Sequence, residues 1–295
     1  MPRRARRYAA PAGAERALAR RAVDEDRVRH DRTTATLFPR AVPAEARVVA
    51  QARGVLSGMT VVREIARSAR LRLFAARADG APVRSGTVVL RLRGDARRIL
   101  GAERTLLNVL MHASGVASAT AHAVAATRGS SPRLQVWGTR KTLPGLRDLE
   151  KAAIVHGGGH AHRRDLAEAI LIKNNHLALL PLAAAIRRAR ARARPGEPVQ
   201  VEVRTAAQAR VAVRAGARRL LLDNAPPARA RSVVRALERA GLRRKVWIEL
   251  SGGITPRSVR AYRTVGADAV SLGALTHSAP ALPFHLTLRR AAPPA

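Results

Sequence analysis

The sequence predicts a mixed α/β protein in which a small α+β domain is followed by an α/β barrel. In the second half, short apolar segments typical of buried strands alternate with helix-like stretches, and repeated strand–helix units form parallel sheets. In the first half, apolar stretches alternate with turn residues, which indicates a β-sheet, and a helical pattern follows. We expect the barrel to be complete or nearly so, with a doubly wound open sheet as the alternative.

The first half contains the elements of a small domain. Strand-like segments occur at residues 47–51, 54–58 and 87–92, each bounded by turn-forming residues. From residue 102 to about residue 126, leucines and other apolar residues recur at helical spacing. These segments predict a sheet with at least one long helix packed against it.

The second half contains six strand-like segments separated by helix-like ones. The strands are expected at residues 134–137, 169–172, 199–203, 219–222, 246–250 and 269–272. The helices are expected at residues 181–194, 206–215, 228–240 and 256–265. Ala-Gly and Gly-Ala pairs precede several strands, as expected where a helix ends and a short turn leads into a strand.

Composition limits the chemistry and the location of the protein. Its 295 residues suffice for one large domain or two ordinary ones, and the absence of cysteine excludes disulfides, thiolate metal sites and a cysteine nucleophile. No apolar run reaches the ~20 residues that span a bilayer. The Arg-rich start is typical of an exposed basic helix, with a transit peptide as the alternative. We therefore expect a cytoplasmic protein without a membrane partner.

The net charge of +35 is extreme, and 51 of the 55 basic residues are Arg. Such a field attracts polyanions, including nucleic acids and phosphorylated metabolites. We favour the interpretation that Arg simply replaces Lys across solvated surfaces. The Arg residues are spread along the chain, and aromatic residues for base stacking make up only 2% of it. The sequence therefore does not predict specific nucleic-acid binding.

Five successive predicted strands end in a polar residue or a glycine. These positions are Lys173, Glu202, Asp223, the Ser251-Gly252-Gly253 segment and Gly273. In an α/β barrel the carboxyl ends of the strands converge on one face, where active sites are built. The regular placement predicts a site at this face.

Glycines in the last two strand units indicate a phosphate site. Gly252, Gly253 and Gly273 lack side chains, so their backbone N–H groups can approach an anion closely. Barrels often bind phosphate after their final strands. The alternative is that these glycines serve only tight turns.

Cationic residues from separate segments complete the predicted site. Arg140 and Lys141 follow the first barrel strand, and His162 and Arg163 follow the three glycines at 157–159. Together with Lys173 they can surround a compact anion, because Arg presents a fork that matches carboxylate or phosphate and Lys acts as a point charge.

Other catalytic signatures do not fit the same residues. His160 and His162 have no third ligand at metal-binding spacing, and the glycines at 157–159 match neither a Walker nor a dinucleotide fingerprint. Ser251 has no evident His–acid partnership for a hydrolase triad.

In order along the chain, these segments resemble the quinolinate phosphoribosyltransferase (carboxylating nicotinate-nucleotide pyrophosphorylase) family. The resemblance extends from about Asp31 to Ser278 and includes the Thr-Arg-Lys-Thr sequence at 139–142. It is carried by residues 31–34, 54–58, 103–108, 114–117, 139–145, 157–159 with 162–163, 171–176, 201–203, 222–224, 251–254 and 273–278.

The resemblance implies an N-terminal α+β sandwich at residues 1–113 and an incomplete α/β (TIM-like) barrel at 114–278, with residues 279–295 packing back on the first domain. It also implies a homodimer, or a higher assembly of dimers, in which Arg104 enters the neighbouring subunit's site. The implied substrates are quinolinate and phosphoribosyl pyrophosphate. The reaction would yield nicotinate mononucleotide, pyrophosphate and CO2 for NAD biosynthesis.

The resemblance also implies a role for each site residue. The quinolinate carboxylates would be bound by Arg140, His162, Arg163 and Lys173, and catalytic Lys141 would lie close to both ligands. Glu202 and Asp223 would face the ribose hydroxyls and the Mg²⁺ of phosphoribosyl pyrophosphate. Ser251, Gly253 and Gly273 would lie by its 5-phosphate.

Three positions depart from the family pattern. Gly138 and Asn174 stand where an acid is usual near the site, and Arg204 replaces an acid after the strand that contains Glu202. These changes leave the charged ligand-binding residues in place but bear on the acceptor acid. Two alternatives follow: a related phosphoribosyltransferase for another pyridine or azole acid, and a non-catalytic nucleic-acid-binding relative.

Overall fold

The computed structural model describes residues 8–130 and 134–291, which divide into two compact units. Within these residues, the first unit comprises 8–121, 143–158 and 279–291. The second comprises the described part of 122–142 together with 159–278.

The helices and strands alternate along most of the chain. The helices are α1 (Ala14–Glu25), α2 (Arg32–Leu37), α3 (Met59–Ser68), α4 (Ala96–Ala126), α5 (Arg147–His156), α6 (Asn174–Leu177), α7 (Leu182–Arg192), α8 (Ala206–Arg214), α9 (Pro227–Arg239) and α10 (Ala274–His277). The strands are β1 (Pro43–Ala50), β2 (Gly54–Val55), β3 (Arg72–Ala76), β4 (Pro82–Val83), β5 (Val88–Asp95), β6 (Gln135–Trp137), β7 (Ile170–Ile172), β8 (Val199–Val203), β9 (Arg219–Asp223), β10 (Trp247–Ser251), β11 (Ala269–Ser271) and β12 (Phe284–Arg290).

The first unit is an α+β domain, as predicted. Its antiparallel sheet has the order β12-β1-β5-β3, and β2 pairs separately with β4. Strand β1 alternates buried and partly exposed residues, so Val48 and its neighbours of the same face enter the core while the other face does not. Fully buried leucines and isoleucines of α3 and α4, among them Ile65 and Leu106, complete the core.

Helix α4 is long and apolar enough to cross a membrane by length and composition alone. Its 31 residues include an 18-residue window with a mean hydropathy of 1.2. Half of that window is buried inside the protein, as in the core helix of a globular domain. Leu106 and Leu110 are completely buried, which is consistent with a packing role for the helix.

All six strands predicted for the second half are present, and they form one parallel sheet of order β6-β11-β10-β9-β8-β7. Strands β7 to β11 are neighbours in chain order, and β11 then pairs with β6, the first of the set. A doubly wound sheet reverses its strand order and places its first strand internally, so this order is that of a barrel. Strands β6 and β7 stand at the sheet's two edges, which matches the predicted incomplete barrel.

The predicted α-helix at residues 256–265 is wrong, because only a 3-10 turn, Val259–Tyr262, is present there. Thr255 and Ser258 account for the difference. The Thr255 N–H donates to Ser258 Oγ at 3.0 Å, and the Ser258 N–H donates to Thr255 Oγ1 at 3.2 Å. Such bonds give the backbone an alternative to the α-helical pattern.

Candidate active site

The carboxyl ends of the parallel strands surround a cleft of ≈ 310 Å³ in the second unit. Asp223 and Ser251, the last residues of β9 and β10, are paired in register and stand side by side at this edge. Of the eleven residues predicted for the site, nine line the cleft: Arg140, Lys141, His162, Arg163, Lys173, Glu202, Asp223, Ser251 and Gly253. Thr139, Leu171, Leu221, Asn224, Glu249, Gly252 and Ser271 line it as well.

Five basic residues of the cleft lining form what we call the cationic wall: Arg140, Lys141, His162, Arg163 and Lys173. Within the described parts of the chain, neither arginine of this wall forms an ion pair, and both Nε atoms are buried without a hydrogen-bond partner. Arg163 is held in place by a 2.7 Å bond from Nη1 to the carbonyl of Ala169. Burial and the positive charge of Arg140 lower its pKa below the usual range. Two guanidinium groups therefore act on each other here without a direct ion pair to an acid of the described chain, as expected of an anion site.

The cleft is also lined by the carboxylates of Glu202 and Asp223, which are connected through Asn174. The Asn174 N–H donates to Glu202 Oε2 at 2.8 Å, and its side-chain Nδ2 donates to Asp223 Oδ2 at 3.3 Å. Asn224 Nδ2 also donates to Asp223, at 3.0 Å, and Arg204 lies 3.6 Å from the same carboxylate. Asn174 and Arg204, two of the three residues that depart from the family pattern, thus both contact Asp223, a predicted ligand-binding acid.

The third unusual residue, Gly138, is buried beside the aromatic residues next to the cleft. Its N–H donates to the carbonyl of His160 at 2.9 Å. The preceding Trp137 stacks on the His160 ring with a centroid distance of 5.1 Å. Gly138 therefore contributes a backbone link between β6 and the segment that leads to His162.

Two glycines after β10 adopt left-handed conformations. Gly252 has a φ of +97°, and a Cβ there would lie 2.2 Å from Asn224 Oδ1. Gly253 has a φ of +64° and faces open space, with no heavy atom within 4 Å of a Cβ built on it. A side chain at Gly252 would displace Asn224, whereas the exposed backbone at Gly253 is open to a ligand.

Gly273 does not line the cleft, but it makes room for a residue that does. A Cβ at Gly273 would lie 2.9 Å from Lys141 Cδ and 3.0 Å from His277 Nε2. The hydroxyl of Thr276, in the helix that follows Gly273, donates to the carbonyl of Lys141 at 2.7 Å. The last strand unit thus supports both the backbone and the side chain of Lys141.

Arg104 is exposed on α4 in the first unit, whereas every residue lining the cleft belongs to the second. Its assignment to a neighbouring subunit's site stays a prediction.

Glu249, a buried carboxylate in the cleft lining, was not among the residues predicted from the sequence. Only 1% of its surface is exposed, and Gln200 Nε2 donates to its Oε2 at 2.9 Å. Burial raises the pKa of Glu249, but His162, Gln200 and Ser271 stabilise the charged form and bring the pKa below its usual value. A single acid in the apolar run 246–250, on the same strand face as Ser251, was the available signal.

Two family models together match most of the described chain. Residues 31–114 match the model of the N-terminal domain of quinolinate phosphoribosyl transferase. Residues 116–287 match the model of its C-terminal domain.

Relatives and solved structures agree with this match. A probable nicotinate-nucleotide pyrophosphorylase [carboxylating] of Archaeoglobus fulgidus is 41% identical over 243 residues, covering 82% of this chain and 93% of the relative. A nicotinate-nucleotide pyrophosphorylase [carboxylating] of Mycobacterium leprae is 36% identical, covering 93% and 97%. The crystal structure of NadC from Streptococcus pyogenes superposes with a TM-score of 0.87 at 35% identity, covering 97% and 99%.

Replacing Gly273 tests its support of Lys141. We expect Gly273→Ala to push the Lys141 side chain aside, because the new Cβ would lie 2.9 Å from Lys141 Cδ. The affected atoms belong to flexible side chains, so the melting temperature should fall by less than about 4 °C, or about 1 kcal/mol. Binding of inorganic pyrophosphate, measured by titration calorimetry, should weaken about tenfold, equivalent to about 1.4 kcal/mol.

Gly196→Ala is the matched control, because Gly196 has a φ of +75° and nothing within 4 Å of its Cβ position. It should lose some stability to backbone strain and keep its pyrophosphate affinity. Unchanged pyrophosphate binding by Gly273→Ala would show that Lys141 does not depend on this glycine.

Proposed function

Because the chain belongs to the quinolinate phosphoribosyltransferase family, we propose that the cleft binds quinolinate on its cationic wall and phosphoribosyl pyrophosphate between its acids and glycines. The protein is a decarboxylating phosphoribosyltransferase of NAD biosynthesis. It converts quinolinate and phosphoribosyl pyrophosphate to nicotinate mononucleotide, pyrophosphate and CO2. We assign its location to the cytoplasm, as predicted from the sequence.

The pair of interacting guanidinium groups of Arg140 and Arg163 supports the quinolinate site most directly. Quinolinate is a dianion, and removing it from water is costly unless fixed cations replace its hydration. The two arginines are partly buried and form no direct ion pair within the described residues, so guanidinium N–H groups are left for adjacent carboxylates. Lys173, at the end of β7, adds a third positive charge to the wall, and His162 belongs to the same wall.

Phosphoribosyl pyrophosphate is assigned to the remaining sides of the cleft. Glu202 and Asp223 can accept hydrogen bonds from the ribose hydroxyls, and Asn174 already holds both carboxylates in place. The exposed backbone of Gly253 and the hydroxyl of Ser251 line the cleft and suit the 5-phosphate. Gly273, in the neighbouring strand unit, makes room for Lys141. Lys141 lies next to Gly273 and lines the cleft, so it can contact both substrates.

Glu202 and Asp223 also fit a magnesium ion that arrives with its phosphorylated substrate. The described residues contain no group of three or more side chains able to hold a metal. Magnesium usually keeps several waters and binds through one or two carboxylates plus substrate phosphates, so two acids are sufficient. When bound, the ion neutralises charge on the departing pyrophosphate.

The proposed chemistry has two steps. First, the ring nitrogen of quinolinate attacks the anomeric carbon, the carbon–oxygen bond to pyrophosphate breaks, and Lys141 stabilises the negative charge that develops on the leaving group. The pyridinium ring then withdraws electrons from the neighbouring carboxylate. The carbon–carbon bond breaks, CO2 leaves, its electron pair stays on the ring carbon, and that carbon takes up a proton. Arg140 and Arg163 orient the dicarboxylate throughout.

Alanine replacement of Arg163 or Lys141 tests the assignment of the cleft. Each variant should lose at least about 10³-fold in kcat/KM, or about 4 kcal/mol, because a fixed cation facing a desolvated anion is removed. Product formation from quinolinate, magnesium and phosphoribosyl pyrophosphate would be followed by mass spectrometry, with folding checked by circular dichroism. Arg214→Ala, an exposed change on α8, is the control. Folded variants with wild-type rates would refute the assignment.

The ion pair between Arg204 and Asp223 should affect the magnesium concentration that the enzyme requires. Arg204 lies 3.6 Å from the carboxylate and offsets part of its charge. In Arg204→Ala the two acids should attract magnesium more strongly. Half-maximal activity should then need about twofold to fivefold less Mg²⁺, as expected for a pair worth up to about 1 kcal/mol. Arg214→Ala should keep the wild-type requirement, and a higher requirement in Arg204→Ala would contradict the assignment of Asp223.

Subunit mixing tests the proposed dimer with a shared site. Arg104→Ala and Lys141→Ala should each be inactive alone, since one lacks the residue donated to a neighbour and the other a residue of its own cleft. After co-refolding in equal amounts, half of the dimers are mixed and each contains one intact site, so about a quarter of wild-type activity should return. No recovery, with mixed dimers present by mass spectrometry, would place Arg104 outside the neighbouring site.

A further inference from the structure

Glu249 is a buried carboxylate in the lining of the cleft, beside His162 of the cationic wall. It lies on β10, two residues before Ser251 and therefore on the same strand face, and is 1% exposed. A buried carboxylate is costly unless paired, and a well-packed apolar residue in a barrel strand would avoid that cost. The position of Glu249 inside the cleft wall therefore suggests a function beyond packing.

Gln200 and His162 both contact the same carboxylate oxygen of Glu249, Oε2. Its Oε2 accepts a hydrogen bond from Gln200 at 2.9 Å and lies 3.6 Å from His162 Nε2. Its Oε1 is buried and has no hydrogen-bond partner. Gln200 therefore accounts for part of the hydrogen bonding of Oε2, and His162 lies near the same oxygen.

His162 connects Glu249 to the substrate-facing wall. The backbone N–H of Arg163 donates to His162 Nδ1 at 2.8 Å, which requires a lone pair on Nδ1 and places the ring proton on Nε2, facing Glu249. The edge of Trp137 contacts the same ring at a centroid distance of 6.2 Å. Glu249, His162 and Arg163 therefore form a continuous series of contacts that ends at a guanidinium of the cationic wall.

We propose that Glu249 is a positioning residue for quinolinate binding: its carboxylate holds His162 in the Nε2–H form, and His162 then fixes the backbone that carries Arg163. This inference rests on the proposed quinolinate site. Glu249 acts through His162 and is not assigned a contact with substrate. His162, in turn, accepts the Arg163 N–H at Nδ1. In this proposal His162 contributes to carboxylate binding by fixing the position of Arg163.

Two substitutions separate the acceptor function of Glu249 from its charge. Glu249→Gln keeps the shape and an oxygen that can accept from His162, whereas Glu249→Leu removes the acceptor at similar volume. In steady-state kinetics, Glu249→Leu should raise the KM for quinolinate about tenfold and leave the KM for phosphoribosyl pyrophosphate within about twofold. Glu249→Gln should recover most of the quinolinate KM.

Gln200→Leu is the matched control, because it removes the 2.9 Å hydrogen bond to Glu249 Oε2 and leaves His162 unchanged. It should leave the KM for quinolinate unchanged. Equal rises in both KM values for Glu249→Leu, or the same quinolinate effect in Gln200→Leu, would show a purely structural role and overturn the proposal.

Nitrogen-15 NMR of the histidine rings gives a readout that does not depend on activity. The wild-type protein should show the Nε2–H tautomer for His162, with its signal assigned by its loss in His162→Asn, and Glu249→Leu should shift it toward a tautomer mixture. A wild-type Nδ1–H tautomer would overturn the proposal even if Glu249→Leu failed to fold. If wild-type protein did not bind quinolinate in calorimetry, the proposed function would fail separately, while the NMR result would still decide the role of Glu249.

Discussion

Parallel pairing of the barrel strands is the constraint on which the site depends. The order β6-β11-β10-β9-β8-β7 places the carboxyl ends of all six strands at one edge. Side chains from distant parts of the sequence, such as Lys173 and Ser251, must then meet there. No local interaction between these residues is needed to bring them together, because the backbone ladder sets their positions.

That convergence concentrates like charge, which opposes folding. Arg140 lowers the pKa of the partly buried Arg163, so the two guanidinium groups destabilise each other in the free protein. The rest of the barrel is apolar and closely packed, with residues such as Leu220 and Ile248 completely buried. The site is therefore electrostatically strained before an anion binds, and binding relieves that strain.

Much of the architecture can be predicted from sequence patterns, but the ion-pair partners of the charged residues cannot. Strands such as β8 and β9 are short, β-branched or leucine-rich runs between helix-like segments, so their positions could be predicted. The residues at their ends follow from the same pattern. Glu249 could not be found this way, because one acid inside an apolar strand gives no indication of a histidine 87 residues earlier in the sequence. Likewise, the pairing of Arg204 with Asp223 depends on tertiary geometry.

The bond from Thr276 to the Lys141 carbonyl joins residues 135 positions apart. Because Thr276 follows β11, the last barrel strand, the Lys141 segment can acquire this support only after nearly the whole barrel has been synthesised. An incomplete chain on the ribosome would present arginines without an assembled cleft. Substrate capture is thus postponed until translation has passed the final barrel helix.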